Sequence, residues 1–413
     1  MKKLLILLNI LVLFYSCSSE EGIVTLQNTN TENKHANSAK KNNLRKTLNR
    51  FSPFNDFTYD HGWKVNYKET KKVKTGEECK WITKGAPPYE FRVFECEDIV
   101  ETQIFYKGHP RELADVNGDG KADIVGFGDH DVWVSLSNGN NFGQIKSWNK
   151  HFNNSDNGWM TDKHIRSVAD VNGDGKADIV GFGENEVRVA LSNGSSFAPY
   201  TVWTHDFTYT NSHWRVDKHI RKLADVNGDG KADIIGFGEN EVRVSLSNGN
   251  SFGPYTVWNQ HFAYNNSDWR VARHVRTVAD VNGDGKADII GFGENEVRVA
   301  LSNGNSFGSF RVWSTHFTYN NSGWRVNKHV RIVTDVNGDG KDDIVGFGEN
   351  EIRVSLSNGS SFQPYTVLSS DYTYNSGWRN YKHVRTVADV NGDGKADIVS
   401  FGDSKVLTKL SEY

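Results

Sequence analysis

The pattern Asp-Val-Asn-Gly-Asp-Gly-Lys-x-Asp-Ile occurs six times in the 413 residues, beginning at Asp115, Asp170, Asp225, Asp280, Asp335 and Asp389. Successive starts are 55 residues apart, and 54 for the last. A period of that length without a helical hydrophobic pattern means a propeller or an array of small β units. In the second unit the strand-like pieces are Ala177–Phe182, Val187–Leu191 and Tyr200–Trp203, followed by Ile220–Ala224. Val187, Val189 and Leu191 alternate as in a half-buried strand, and Asn193-Gly194 is a hairpin signal. Four short strands per unit make a blade, so the expected fold class is all-β and the architecture a β-propeller.

Composition supports this. There are 39 Gly, only 7 Pro, and 12% aromatic residues, which suits tight turns between short strands. Lys plus Arg (48) nearly balances Asp plus Glu (51), for a net charge of −3. That balance excludes a nucleic-acid binder driven by phosphate neutralisation.

The sixth unit stops at Tyr413, short of a full period, and its missing part stands at the other end of the chain. Asp56-Phe57-Thr58-Tyr59 matches Asp206-Phe207-Thr208-Tyr209, and Gly62-Trp63-Lys64-Val65 matches the turn around Trp324-Arg325-Val326. The ring is therefore expected to close by pairing the N-terminal segment with the C-terminal repeat, which removes exposed sheet edges. Blade number rests on residues 70–106, an insertion with strand-like pieces at Lys80–Thr83, Glu90–Glu95 and Thr102–Tyr106. The favoured expectation is seven blades, this segment being a degenerate one without the Asp-rich loop. The alternative is six blades and a hairpin insertion. The insertion holds Cys79 and Cys96, and two cysteines in an exported chain favour a disulfide, contributing on the order of 3 kcal/mol.

Export is read from residues 1–16, a basic start followed by an apolar run from Leu4 to Tyr15 that is too short to span a bilayer. Cys17 after Ser16 resembles a bacterial lipobox, which implies a diacylated anchor. Residues 17–50 are polar and aperiodic, a tether with a reach of roughly 30 Å. Residues 51–413 hold the propeller. The expected location is the outer membrane or cell surface, with membrane contact only through the lipid.

The repeated loop also carries a chemical expectation. Its oxygen side chains fall at positions 1, 3, 5 and 9, with a carbonyl available from the Lys at 7, a spacing that suits a hard cation. The six sets are Asp115, Asn117, Asp119, Lys121 and Asp123; Asp170, Asn172, Asp174, Lys176 and Asp178; Asp225, Asn227, Asp229, Lys231 and Asp233; Asp280, Asn282, Asp284, Lys286 and Asp288; Asp335, Asn337, Asp339, Lys341 and Asp343; and Asp389, Asn391, Asp393, Lys395 and Asp397. Position 12 is Gly181 in the second copy, so the loop is not an EF-hand. Carboxylates crowded in one turn repel without a counter-ion, so structural calcium (Ca2+) is the expected cofactor. Six such ions would take the net charge from −3 to +9, a mildly basic surface suited to anionic glycans.

Together with Val-Gly-Phe-Gly-Glu-Asn (180–185), Ser-Asn-Gly-x-x-Phe (192–197) and Trp-Arg-Val-Asp-Lys-His-Ile-Arg (214–221), the unit resembles an FG-GAP/VCBS repeat. It is most similar to the repeats of the Psathyrella velutina lectin family, calcium-containing propeller lectins. The resemblance covers about 51–70 and 106–413. It implies pockets between neighbouring blades for N-acetylglucosamine and sialic acid. Carried onto this chain, those sites draw on Trp159, Trp214, Trp269, Trp324 and Trp378, with Arg215, Arg270, Arg325 and Arg379 beside them. An aromatic face packs on sugar C–H groups and a guanidinium donates to hydroxyls or a carboxylate. The family's aromatic in the strand after Gly-Phe-Gly is present at Trp133, but the other copies carry Arg188, Arg243, Arg298 and Arg353.

Each of these has a structural alternative. The Trp series also suits packing between blades, the strand Arg suits pairing with an acid such as Glu186, and the recurring His164, His219, His274, His329 and His383 suit a structural hydrogen bond. No lone nucleophile with a base stands out, and repeats spread polar groups evenly, so an enzyme is not expected. Two functions compete: a surface-anchored lectin for N-acetylated or sialylated glycans, and an integrin-α-like propeller that docks a protein partner.

Overall fold

The computed structural model describes Phe57 and Thr58, the backbone of 67–84 and 91–107, and residues 109–413. The expected signal peptide, Cys17 anchor and tether, and the matching residues at 59–65, lie outside the described residues. No described helix is long and apolar enough to cross a membrane.

Six sheets follow one another along the chain. In blade 1, β3 (Arg111–Ala114), β4 (Asp123–Phe127), β5 (Val132–Ser135) and β6 (Lys146–Asn149) pair antiparallel in sequence order. Blades 2 to 5 repeat this over Ile165–Thr204, Ile220–Asn259, Val275–Ser314 and Val330–Ser369, and blade 6 shows three strands over Val384–Lys409. The first strands of the six blades neighbour one another in a closed cycle, blade 6 returning to blade 1. The expected strands of the second unit are found nearly in place, at Asp178–Phe182, Val187–Ala190 and Thr201–Thr204.

The protein is thus a six-bladed propeller, the alternative rather than the favoured seven. Within 70–106, β1 (Tyr67–Lys84) and β2 (Phe91–Lys107) pair as one antiparallel ribbon. The reason is turn chemistry. A blade needs three turns, while this segment has one strong breaker, Gly85-Ala86-Pro87-Pro88; Gly76 produces only a register shift. The ribbon's register sets Cys79 directly opposite Cys96.

The core lies between blades. The second strand of each, Asp-Ile-Val-Gly-Phe or a close variant, is buried along its whole length because blades cover both of its faces. Gly236 shows why glycine recurs there. A Cβ at Gly236 would lie 2.4 Å from Trp214 and 2.6 Å from Phe207, so the strand makes room for two aromatic rings from the preceding connection. Phe207 itself sits at φ 60°, a costly region for a bulky residue. Complete burial of its ring and a 3.1 Å bond from Arg221 to its carbonyl hold it there.

Arg221 is one of six buried arginines that key neighbouring blades together. Each of Arg111, Arg166, Arg221, Arg276, Arg331 and Arg385 donates to the carbonyl of the connection's aromatic residue. Each also lies 5.3 to 5.7 Å from a Phe ring of the preceding blade. At the ends of the chain, Arg111 of blade 1 bonds the carbonyl of Phe57 and sits over Phe401 of blade 6. Phe57, fully buried against Val399, Phe401 and Val406, takes the position that Phe207 holds elsewhere. The N-terminal segment therefore completes the interface between blades 6 and 1.

Candidate functional site: the loops and pockets of the blades

The Asp-rich loops lie between successive blades. In each, two glycines take φ near 80°, as at Gly173 and Gly175, and a tight turn results. In blade 1, Asp115 Oδ1 accepts from the backbone N–H of Asn117, Gly118 and Asp119, and Oδ2 from Gly120. Asn117 and Asp119 each accept the N–H two residues on, and the Lys121 ammonium stands 3.0 Å from Asp119. Asp123 is buried and accepts from Val116 and Ser137. Burial, then the charges of Asp119 and Asp115, push its carboxyl up to about 7. Asp178, Asp233, Asp288, Asp343 and Asp397 behave alike.

In this arrangement the oxygens at positions 1, 3, 5 and 9 serve backbone N–H groups. Among the described residues no group of three or more His, Cys, Asp or Glu is gathered as around a metal ion. The loops also stitch the ring. The Ala177 N–H donates to the Asp115 carbonyl at 2.8 Å, and the Ser192 hydroxyl to the Val116 carbonyl at 2.6 Å. The same bonds join blade 1 to blade 6, from Ala122 to Asp389 and from Ser137 to Val390.

The turn tryptophans are largely core. Trp159, Trp214, Trp269 and Trp324 are only 2 to 3% exposed. Each packs on the connection's Phe, 5.1 to 5.4 Å between centroids, and on the repeated His, 5.2 to 5.5 Å. Arg215, Arg270, Arg325 and Arg379 donate to the carbonyls of Tyr209, Tyr264, Tyr319 and Tyr374 and lie 3.7 to 3.9 Å over those rings. These guanidiniums clamp the connection.

Beside Trp269 and Trp324 the connection and the blade it enters enclose a pocket. In blade 5 a cavity of about 220 Å³ is lined by Ser322, Gly323, Trp324, His329, Gly348, Glu349, Asn350, Glu351 and Arg353. Blade 4 has a matching one of about 220 Å³, including Asp268, Trp269, His274, Glu294, Asn295, Glu296 and Arg298. His329 Nδ1 accepts the Arg325 N–H, so its proton sits on Nε2 and is donated to Glu349 at 2.9 Å. Burial holds the imidazole below its ordinary pKa despite that carboxylate. The bond from His329 in turn keeps Glu349 low, hence ionised. Arg353 pairs with Glu351 at 2.7 Å and stacks 4.3 Å over Tyr365. Blades 2 and 3 repeat these contacts through His164–Glu184, Arg188–Glu186, His219–Glu239 and Arg243–Glu241.

Sequence reasoning picked out the Trp of these pockets and missed the Gly-Glu-Asn-Glu wall. The signal was present: that tetrapeptide stands in four of the six copies, at 183, 238, 293 and 348.

The sequence model of the FG-GAP-like repeat matches residues 115–180, 225–290 and 335–400. Among solved structures, the chain is similar to a lectin of Agrocybe aegerita described as specifically recognising non-reducing terminal N-acetylglucosamine. Identity is 39%, coverage is 76% of this chain and 82% of that one, and the TM-score is 0.63. The Tc holotoxin pore of Photorhabdus luminescens is similar in fold alone, at 16% identity and TM-score 0.52, over 81% of this chain and 17% of that one. A T-cell immunomodulatory protein homolog of Plasmodium falciparum is 28% identical over 154 residues, 33% of this chain. The match spans only 20% of that relative's length.

Proposed function

Because this chain belongs to the FG-GAP-like repeat β-propellers, we propose that it is a non-enzymatic carbohydrate-binding propeller that takes terminal N-acetylated hexoses in its blade pockets. The observation that carries this reading is the 39% identity to an N-acetylglucosamine-recognising lectin over 82% of that chain. Pocket chemistry supports it. Glu349, Asn350 and Glu351 offer acceptors for sugar hydroxyls and an amide N–H, and Arg353 offers donors around its bond to Glu351. Acids outnumber guanidiniums in the lining, with Glu349 and Glu351 against Arg353, and Asp268, Glu294 and Glu296 against Arg298. That balance favours neutral N-acetylated sugars over sialylated ones, against the expectation from a calcium-loaded basic surface.

A glycan array probed with the purified protein tests this. Binding to terminal N-acetylglucosamine that the free sugar abolishes supports it. A blank array from folded protein transfers the function to protein docking, for which the β1–β2 ribbon is the element that breaks the ring's symmetry.

Two further parts of the reading are separate proposals. Export and lipidation at Cys17 rest on the N-terminal sequence, and mass spectrometry of the membrane-extracted protein tests them. Structural calcium rests on the three crowded carboxylates of each loop, and its rival is the hydrogen-bonded turn described above. Calcium added to chelator-treated protein should raise Tm and displace bound terbium; an unchanged Tm without terbium luminescence retires it.

A further inference from the structure

The six blades share one scaffold but do not share one pocket wall. Resting on the lectin reading, we infer that only the pockets of blades 2, 3, 4 and 5 bind sugar, and that the two flanking the seam of the ring have lost the site. The four carry the same polar set: a Glu fixed by the buried His, an Asn, and a Glu-x-Arg pair on the third strand, as in Glu296 with Arg298 and Glu351 with Arg353. The Asn and Glu are also braced by the following connection, Asn375 bonding Asn350 and Thr210 bonding Glu184.

At blade 6 the pair is replaced by Lys405 and Leu407, and the Asn by Ser404. Asp403, one carbon shorter than its Glu counterparts, is held by both His383 and Lys382. The platform itself is packed differently: Tyr372 meets Trp378 at 68° between ring planes, where the Phe–Trp pairs of the other four lie at 28 to 44°. Ser400 stands where the other blades have glycine, and a side chain at that position meets the Trp edge, as the 2.4 Å approach at Gly236 shows. Trp378 is accordingly half-buried where its four counterparts are buried.

Blade 1 departs differently. Asp131 and Trp133 replace the Glu-x-Arg pair, and Asp131 accepts from Ser147 at 2.5 Å. The Trp133 indole lies 3.2 Å from the Cβ position of Gly128, against the glycine that the pocket's own Trp edge approaches in blades 2 to 5. His130 takes the Asn position and pairs with Asp156. Neither seam wall offers the third-strand guanidinium that the other four present to a neutral pyranose; blade 1 keeps only shorter acids, Asp131 and the Asp129 bonded to His109.

Free N-acetylglucosamine is the probe, with bound sugar counted by crystal soak and by titration of the purified protein. The expected result is four occupied pockets per chain. Arg353→Leu, which copies Leu407 of blade 6, should lower capacity by about a quarter and leave affinity at the remaining pockets unchanged. The converse variant, Ser400→Gly with Lys405→Glu and Leu407→Arg, should add a fifth site; this gain keeps the test decisive if loss variants fold poorly. Six equivalent sites, or occupancy confined to the Trp133 pocket, overturns the inference while leaving the lectin reading in place. Absence of sugar at every pocket removes the lectin reading itself, and this inference with it.

Discussion

The interior junctions, between blades 2 and 5, and the seam between blades 6 and 1 are built from one repeat and solve one packing problem in two ways. Inside the ring, each connection stays with its own blade, and Phe, Trp, His and Arg recur at fixed spacing because the same contacts recur. At the seam, Phe57 must come from the far end of the chain to fill the site. Next to the seam, the junction of blades 5 and 6 tolerates what the other interior junctions do not: a serine at 400, a leucine at 368 where blades 1 to 4 have Trp, and an altered pocket wall. Repetition therefore preserves what each blade needs from its neighbours and releases positions where the neighbour differs.

The sharpest way to break this comparison is to remove its shared element. Phe57→Ala should cost about 3–5 kcal/mol in urea unfolding, as a buried Phe does elsewhere in a core. Phe207→Ala in the interior should cost a similar amount. A negligible loss at Phe57 alone would show that the seam is held by the loops and Arg111 without it. Next is the glycine pair. Gly236→Ser drives a Cβ into Trp214 and Phe207 and should cost about 1–3 kcal/mol or more. Ser400→Gly should change stability by less than about 1 kcal/mol, because it removes a buried hydroxyl with no partner among the described residues while adding glycine's backbone entropy. Equal penalties for the two would remove the distinction between interior and seam.

A smaller effect is expected at the stitches. Ser247→Ala leaves the buried Val171 carbonyl unpaired and should cost about 1–2 kcal/mol. Ser411→Ala, at a part-buried site where water can substitute, should cost less.

The smallest effect per residue is that of pH. Burial depresses His164, His219, His274, His329 and His383, so their folded-state pKa lies below the unfolded value of 6.5. Stability from the neutral imidazoles is present above pH 6.5 and declines as pH falls through the folded pKa, since the unfolded chain takes up protons first. The Tm difference between the protein and its His329→Gln variant should fall from pH 7 toward pH 5. The comparison cancels the opposite trend of the buried loop aspartates, whose carboxyls, raised to about 7, stabilise the fold as pH falls. A flat difference would mean that the imidazoles protonate in place.

Much of this was legible in the residues alone. The 55-residue period, the strand pieces and the match between 56–59 and 206–209 pointed to a closed ring. The pairing of Arg188 with Glu186 and the hydrogen-bonding role of the His series were also readable, since both partners lie within a short stretch of the repeat. What was not readable depends on neighbours. How far Trp214 is covered depends on Phe207 and His219, which pack against it only in the folded ring. The loop aspartates suit a cation as a spacing, and their bonds to backbone N–H groups are visible only once the turn is folded.

The sequence by itself determined that the protein is a propeller and where each strand falls, because alternation, glycine turns and a constant period are local and repeat identically. Tertiary structure decided that there are six blades, that Phe57 fills the seam, and which side chains face the pockets. Those outcomes depend on what packs against each residue from a neighbouring blade, and identical repeats acquire different neighbours only where the ring closes.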